Sequence, residues 1–385
     1  MKLLFRLLIG ILLFNTALAG DETPDPLKVL AGDVTAENWL EKGRPATLKI
    51  FSEQVYGVTP KEKLSSEWKL DRESEALNGS AIRREYLLTL GGSLTTRVLI
   101  YLPKNKKSVP VFMGLNFGGN QTLEKDDWIT ASGPSERGGS SERWSLAELI
   151  QNEMGLVTVY CGDFDPDEDD GFENGVHALF PSDRDGKSWG TLGAWAWGMS
   201  RVLDHLESVP EIDEKRVVAI GFSRLGKAAL WAGAQDERFA MVVSANSGCG
   251  GAALSKRAQG ETVGKITKRF PHWFCSNFSK YAEKEAEMAF DQYQLLACIA
   301  PRPVYVASAS EDQWADPEGE FLSLVNAVPV YSLFKDAPFT DESWPKPGTS
   351  IGGQTMGYHL RKGSHGITLW DWKHYIKASK DLLKE

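Results

Sequence analysis

Residues 221–227 read Gly-Phe-Ser-Arg-Leu-Gly-Lys and lie between an apolar run, Arg216 to Ile220, and an Ala-rich stretch, Lys227 to Ala234. A strand, a tight turn and a helix in that order are the setting in which a serine is lifted out of the backbone as a nucleophile. A Cβ at Gly221 or Gly226 would clash where strand and helix close on one another, and Ser223 is expected in a strained conformation with Oγ exposed. The chemistry this implies is acyl transfer through a serine ester. The second glycine comes one place later than in the usual Gly-x-Ser-x-Gly spacing, and Arg224 follows the serine directly.

A serine hydroxyl becomes a nucleophile only if an imidazole takes its proton, and the imidazole needs a carboxylate to fix its tautomer and stabilise its charged form. On a strand-turn-helix nucleophile the chain order is serine, acid, histidine. The histidines are at 177, 205, 272, 359, 365 and 374. His365, in Lys362-Gly363-Ser364-His365-Gly366 just before a predicted helix, is the expected base; His374 is expected inside that helix and His359 on the preceding strand. Two places are open to the acid. After the strand at 241–245 stands Asn246, whose amide cannot stabilise an imidazolium as a charge does. After the strand at 304–308 the chain reads Ser310-Glu311-Asp312-Gln313-Trp314-Ala315-Asp316-Pro317. Asp312, just past the strand end, is the first choice. Asp316 also fits the N-cap of a helix beginning at Pro317, and Glu311 is the further alternative.

The oxyanion of such a reaction needs donors. The backbone N–H of Arg224 is one, and the loop Asn116-Phe117-Gly118-Gly119-Asn120 is expected to supply another, although a Gly-Gly pair is also what a plain turn would use. Such donors typically contribute about 2.7–4 kcal/mol to the transition state. The Arg224 guanidinium could reach the developing charge directly; an ion pair at the helix start is its structural alternative.

These residues have to be positioned by a scaffold, and the rest of the chain supplies its pattern. Ala81 to Leu90 and Leu94 to Leu102 read as a hairpin turned by Gly91-Gly92. The runs 109–116, 156–160, 216–222, 241–245 and 304–308 are short and apolar throughout, as strands buried on both faces must be. Helical patterns occupy 192–206, 227–234, 321–328 and 370–383. The predicted fold class is α/β, a three-layer sandwich around a mostly parallel sheet, with a long insertion at 248–295 of the length that is usually functional or lid-like.

Residues 1–19 have the basic start, short apolar run and Ala-Leu-Ala end of a secretory signal peptide, with cleavage expected after Ala19 and a secreted or periplasmic product. Residues 20–385 then form one catalytic domain, expected to be monomeric. The net charge of −9 and the lack of a basic run argue against nucleic acid or an anionic membrane as partner. Cys161, Cys249, Cys275 and Cys298 allow at most two disulfides and have no zinc-site spacing. Of the 13 tryptophans, most are expected inside, with some free to form a sugar platform.

The elbow resembles the Gly-Cys-Ser-Arg-x-Gly-Lys motif of glucuronoyl esterases, carbohydrate esterase family fifteen, which are α/β-hydrolases. Asn246-Ser247-Gly248-Cys249-Gly250-Gly251-Ala252 is similar to that family's Glu-Ser-Gly-x-Gly-Gly-Ala, Gln259-Gly260-Glu261 to its sugar-contacting segment, and Asp312-Gln313-Trp314 to its tryptophan loop. Two departures are informative. The fungal acid stands where Asn246 stands here, so the chain resembles the bacterial branch, in which a carboxylate after the later strand serves. The fungal cysteines on either side of the site are replaced together by Phe222 and Gly366. The resemblance implies a serine esterase without metal or cofactor that cleaves the ester between 4-O-methyl-glucuronic acid of glucuronoxylan and lignin alcohols. It also implies Lys227, Gln259, Glu261 and Trp314 as uronate contacts; for Lys227 an ordinary solvated helix position is the competing account. The rival functions are an acetyl-xylan or other carbohydrate deacylase and a carbohydrate-binding protein that has lost the chemistry.

Overall fold

The computed structural model describes residues 34–181, 183–334, 343–352 and 355–383, so the expected signal peptide lies outside the described residues. Ten strands form one sheet: β1 (Ser66–Ala76), β2 (Ala81–Leu90), β3 (Leu94–Pro103), β4 (Val109–Asn116), β5 (Gly155–Tyr160), β6 (Ile212–Phe222), β7 (Met241–Ala245), β8 (Val304–Ala309), β9 (Thr349–Gly352) and β10 (Met356–Arg361). Their spatial order is β1-β2-β3-β5-β4-β6-β7-β8-β10-β9. From β5 across to β10 all pairings are parallel, while β1, β2, β3 and β9 add antiparallel edges.

The parallel strands are apolar throughout because both faces are covered. On β6, Val217 and Ala219 join a cluster with Leu192, Trp195 and Leu230, from helices Thr191–Leu206 and Arg224–Gln235. Val218 and Ile220 join an opposite cluster with Leu149, Trp372 and Tyr375, from helices Leu146–Gln151 and Leu369–Leu382. Each buried Val, Leu or Ile side chain among them contributes roughly 1.5–3 kcal/mol. This is the predicted three-layer sandwich.

The β2–β3 hairpin turns at Gly91 and Gly92, with φ of 58° and 73°, and pairs Leu90 with Leu94 as expected. Strand β1 carries no apolar alternation to reveal it: it reads Ser-Glu-Trp-Lys-Leu-Asp-Arg-Glu-Ser-Glu-Ala and is mostly exposed at the sheet edge. Its ion pairs to β2, Arg72 to Glu85 and Glu73 to Arg84, hold it there, and its charge discourages pairing with another chain. The predicted helix at 321–328 runs over Pro317–Tyr331, because Asp316 accepts the Gly319 N–H as N-cap.

The 248–295 segment is built into the core rather than draped over it as a lid. Phe274, Phe278 and Phe290 are buried in the first cluster. All four cysteines are buried free thiols rather than bridged. No helix among the described residues is long and apolar enough to cross a membrane.

What this scaffold does for chemistry is to bring the carboxyl ends of β4, β5, β6, β7, β8 and β10 to one edge, where ligands of open α/β sheets bind. Register fixes the neighbours there: Phe222 pairs with Ala245, Ala245 with Ala307, and Ala309 with Arg361. The loops beyond those strands carry Ser223, Asn246, Asp312 and His365.

Candidate active site

Ser223 occupies the turn between β6 and the helix Arg224–Gln235 with φ 57° and ψ −129°, a conformation costly for a residue with a side chain. It persists because the turn is tied on both sides. Its N–H donates to Ala245 O at 2.8 Å, and its carbonyl accepts from Gly226 N at 2.9 Å. A Cβ on Gly221 would run into the Leu225 carbonyl, and one on Gly226 would lie 3.0 Å from Ser247 Cβ, so both glycines are there for close approach. Ser223 and Arg224 are partly exposed while Gly221, Phe222 and Leu225 are buried.

His365 is exposed in the loop after β10, and its Nδ1 lies 2.6 Å from Asp312 Oδ2. Its ring packs 4.5 Å from that of Phe222, the residue before Ser223. Asp312 itself is buried, 6% exposed. The competing carboxylates go elsewhere. Asp316 caps its helix and takes Arg257 Nε at 2.9 Å, and Glu311 is exposed. The other two late histidines are structural: His359 on β10 is buried between Asp371 at 2.9 Å and Tyr305 at 3.1 Å, and His374 lies in the last helix with Nδ1 2.8 Å from Trp370 O.

Asn246 has φ 47°, and its Nδ2 donates to Gly366 O at 3.0 Å, so the loop after β7 grips the histidine loop through its backbone. Behind it lies a residue that the sequence did not disclose. Glu320 is fully buried, with Oε1 accepting the N–H groups of Ser247 at 2.6 Å and Gly248 at 3.0 Å and Oε2 accepting Ser308 Oγ at 2.6 Å. Burial pushes its carboxyl up to about 8 even against those donors.

The Gly118-Gly119 loop departs from the expected open donor arrangement. Gly119 donates its N–H to Asn116 Oδ1 at 2.7 Å, and added Cβ atoms at the two glycines would collide with Ser135 and Gly133. The glycines serve the packing of this loop on residues 132–135, which is the plain-turn account. The Arg224 N–H, first in its helix, has no intrahelical acceptor, and the helix N-terminus favours negative charge in front of it.

The Arg224 guanidinium is ion-paired to Asp167 in the loop after β5, and its Cζ lies 4.7 Å from the Trp273 ring centroid. Asp167 also takes His272 Nε2 at 3.0 Å and Trp273 Nε1 at 2.6 Å. The ion pair is the structural alternative raised for Arg224 in the sequence; its partners Asp167, His272 and Trp273 were missed, since they come from separate loops and no local motif marks them.

Lys227 is neither solvated nor open to the outside. It is 2% exposed, and its Nζ donates to Ser247 O at 2.6 Å, Cys249 O at 2.5 Å and Glu261 Oε2 at 2.7 Å. Glu261 Oε1 accepts Trp314 Nε1 at 3.0 Å, and Trp314 is 44% exposed. A hydrogen-bonded chain therefore runs from a surface indole to the helix that follows Ser223. Gly260, with φ 55°, makes it possible, because a Cβ there would strike the Gln313 and Trp314 carbonyls. Gln259 is exposed beside it.

Comparison with known proteins then places the chain. A carbohydrate esterase, MZ0003, of an unknown prokaryotic organism is 41% identical over 381 residues, covering 92% of this chain and 88% of that protein. The chain belongs to the glucuronoyl esterases of carbohydrate esterase family 15. A sequence profile described as glucuronyl esterase, fungi, matches residues 150–334 of this family-15 member. A glucuronoyl esterase from Solibacter usitatus superposes with a TM-score of 0.89 at 37% identity, over 95% of this chain and 99% of that one. A promiscuous family-15 esterase from a marine bacterial metagenome gives 0.87 at 40% identity, over 94% and 97%. The Wolfiporia cocos 4-O-methyl-glucuronoyl methylesterase 1 is 33% identical over 184 residues, 46% of this chain and 45% of that protein. The fold of this family-15 chain is accordingly that of an α/β-hydrolase.

Proposed function

We propose that this chain is a secreted serine esterase of one catalytic domain, which hydrolyses esters of 4-O-methyl-glucuronic acid on glucuronoxylan with lignin alcohols. The observation that carries the reading is the 2.6 Å contact between His365 Nδ1 and Asp312 Oδ2 at the same sheet edge as the strained Ser223. A carboxylate at Nδ1 holds the proton on that nitrogen, so Nε2 is left to accept from a hydroxyl. Ser223 Oγ attacks the C6 carbonyl as His365 takes its proton. Arg224, through its N–H and guanidinium, stabilises the oxyanion. The alcohol leaves with the proton from His365, and water, activated in the same way, releases glucuronate and frees the serine.

Trp314, Glu261 and Gln259 are proposed uronate contacts: the indole face packs on the ring, while the carboxylate and amide take sugar hydroxyls. Lys227 serves the same subsite from behind, since its buried ammonium fixes the Glu261 carboxylate at 2.7 Å. The reading is tested by turnover of benzyl glucuronate against p-nitrophenyl acetate and acetylated xylan. Preference for benzyl glucuronate supports it, and activity on the acetyl esters alone would make the chain a deacylase. A broader ester range is the second reading, favoured by the 40% identity to a family-15 esterase described as promiscuous. A carbohydrate-binding protein without the chemistry would have no need of the carboxylate that sits 2.6 Å from His365 Nδ1.

A further inference from the structure

The two cations on the helix behind Ser223 each face a carboxylate. Lys227 has Glu261 at 2.7 Å, and Arg224 has Asp167. The second pair is the more exposed and the more elaborately held. One Asp167 oxygen takes Arg224, and the other receives His272 Nε2 at 3.0 Å and Trp273 Nε1 at 2.6 Å. The Trp273 ring, stacked on Phe270 with centroids 3.8 Å apart, forms a floor beneath the guanidinium. Burial works against charge on Asp167, but the His272 hydrogen bond, the Arg224 charge and the Trp273 N–H outweigh it and keep its carboxyl below the usual range. The loop after β5 and the 248–295 insertion thus converge on one arginine.

Why a guanidinium meant for an oxyanion should be neutralised follows from the charges along the proposed reaction, on which this inference rests. The ester is neutral, the tetrahedral intermediate is negative at contact distance from its donors, and the product is a carboxylate. An N–H of a paired arginine still stabilises an oxyanion at contact, whereas its net field on a nearby anion is largely cancelled by the partner. We propose that Asp167 is a positioning and charge-balancing residue, which aims Arg224 at the reacting carbonyl and cancels this one cation's hold on the uronate product. Arg143, over the rings of Phe117 and Phe222 at 5.5 Å and 5.2 Å, is a further cation of this wall and has no carboxylate partner among the described residues. It is unchanged in the comparison that follows.

Asp167→Asn keeps the shape and removes the charge; with its oxygen toward Arg224 its amide N–H2 faces Trp273 Nε1, a loss of one hydrogen bond that both ligands of the titration below share alike. Calorimetric titration of the full chain with glucuronate and with glucuronamide, its neutral isostere, reads the effect without relying on turnover. The ratio of the two affinities is expected to move roughly tenfold toward glucuronate in the variant. An unchanged ratio, including equal weakening of both ligands, overturns the charge-balancing role. Asp167→Ala also removes the anchor, and kcat on benzyl glucuronate should fall on the order of a hundredfold with a smaller change in KM. A rise in KM at unchanged kcat overturns the positioning role. If the native chain binds both ligands but does not cleave benzyl glucuronate, the esterase reading fails, while the affinity ratio still decides this one.

Discussion

The loops after β7 and β8 reach the same histidine loop and do different things to it. Asn246, after β7, holds Gly366 by its carbonyl, and Asp312, after β8, holds the imidazole itself. Only the second contact sets a carboxylate against His365. One strand position can therefore lose its carboxylate and still be needed, because a neutral amide can brace a backbone that it could not activate. In the proposed reading the acid's task falls to the neighbouring strand, whose register places it beside β10 through the Ala309–Arg361 pair.

Single substitutions can break this division of labour. Asp312→Ala should lower kcat on benzyl glucuronate by roughly 10³–10⁴, the scale of a triad whose imidazole has lost its carboxylate. Asp316→Ala should instead leave kcat near native and cost about 1 kcal/mol of stability through the lost cap, read by denaturant unfolding. Glu311→Ala should alter neither. A large kcat loss in either of those two would reassign the acid.

That much of the site was legible because its chemistry is local. The Gly-Phe-Ser-Arg elbow, the glycine-flanked His365 and the carboxylate just past an apolar strand each occupy a few consecutive residues. The Asp167 clamp was not legible, because its contacts to Arg224 and Trp273 span 57 and 106 residues. Glu320 reads as an ordinary acidic residue in a first helical turn, and only packing reveals that it is buried under the Ser247–Gly248 turn. Lys227 is a similar case, since a lysine at a helix start gives no sign that three acceptors will enclose it. The fold followed the same rule. Buried parallel strands announced themselves by apolar runs, and the charged edge strand β1 did not.

Moving the carboxylate sharpens the comparison. Asn246→Glu in the Asp312→Ala background should recover at least about tenfold of the lost kcat, since a charge regained at the imidazole is worth more than 1.4 kcal/mol in a partly buried site. No recovery would mean that the loop after β7 cannot present an acid to this histidine. Glu320 tests the brace behind that loop. Its carboxyl lies near 8 in the fold against an ordinary 4.5, so the native state holds a proton that the unfolded chain has released. Stability from the neutral form is fully present below about 4.5 and is lost as pH rises toward about 8, at up to about 1.4 kcal/mol per unit. Glu320→Gln, which cannot ionise, should therefore gain on the native protein across that window in thermal melts, and a constant difference would contradict the assignment. The smallest effect is expected from Asn246→Ala, a few-fold fall in kcat with KM little changed, as one side-chain hydrogen bond to the Gly366 carbonyl, of about 1 kcal/mol, is released.

All of these comparisons presuppose that one hydroxyl does the chemistry. The direct measurement is turnover of benzyl glucuronate by Ser223→Ala in its folded state. Loss of kcat by about 10⁶, down to background hydrolysis, is the predicted result. Retention within tenfold of native would contradict the account.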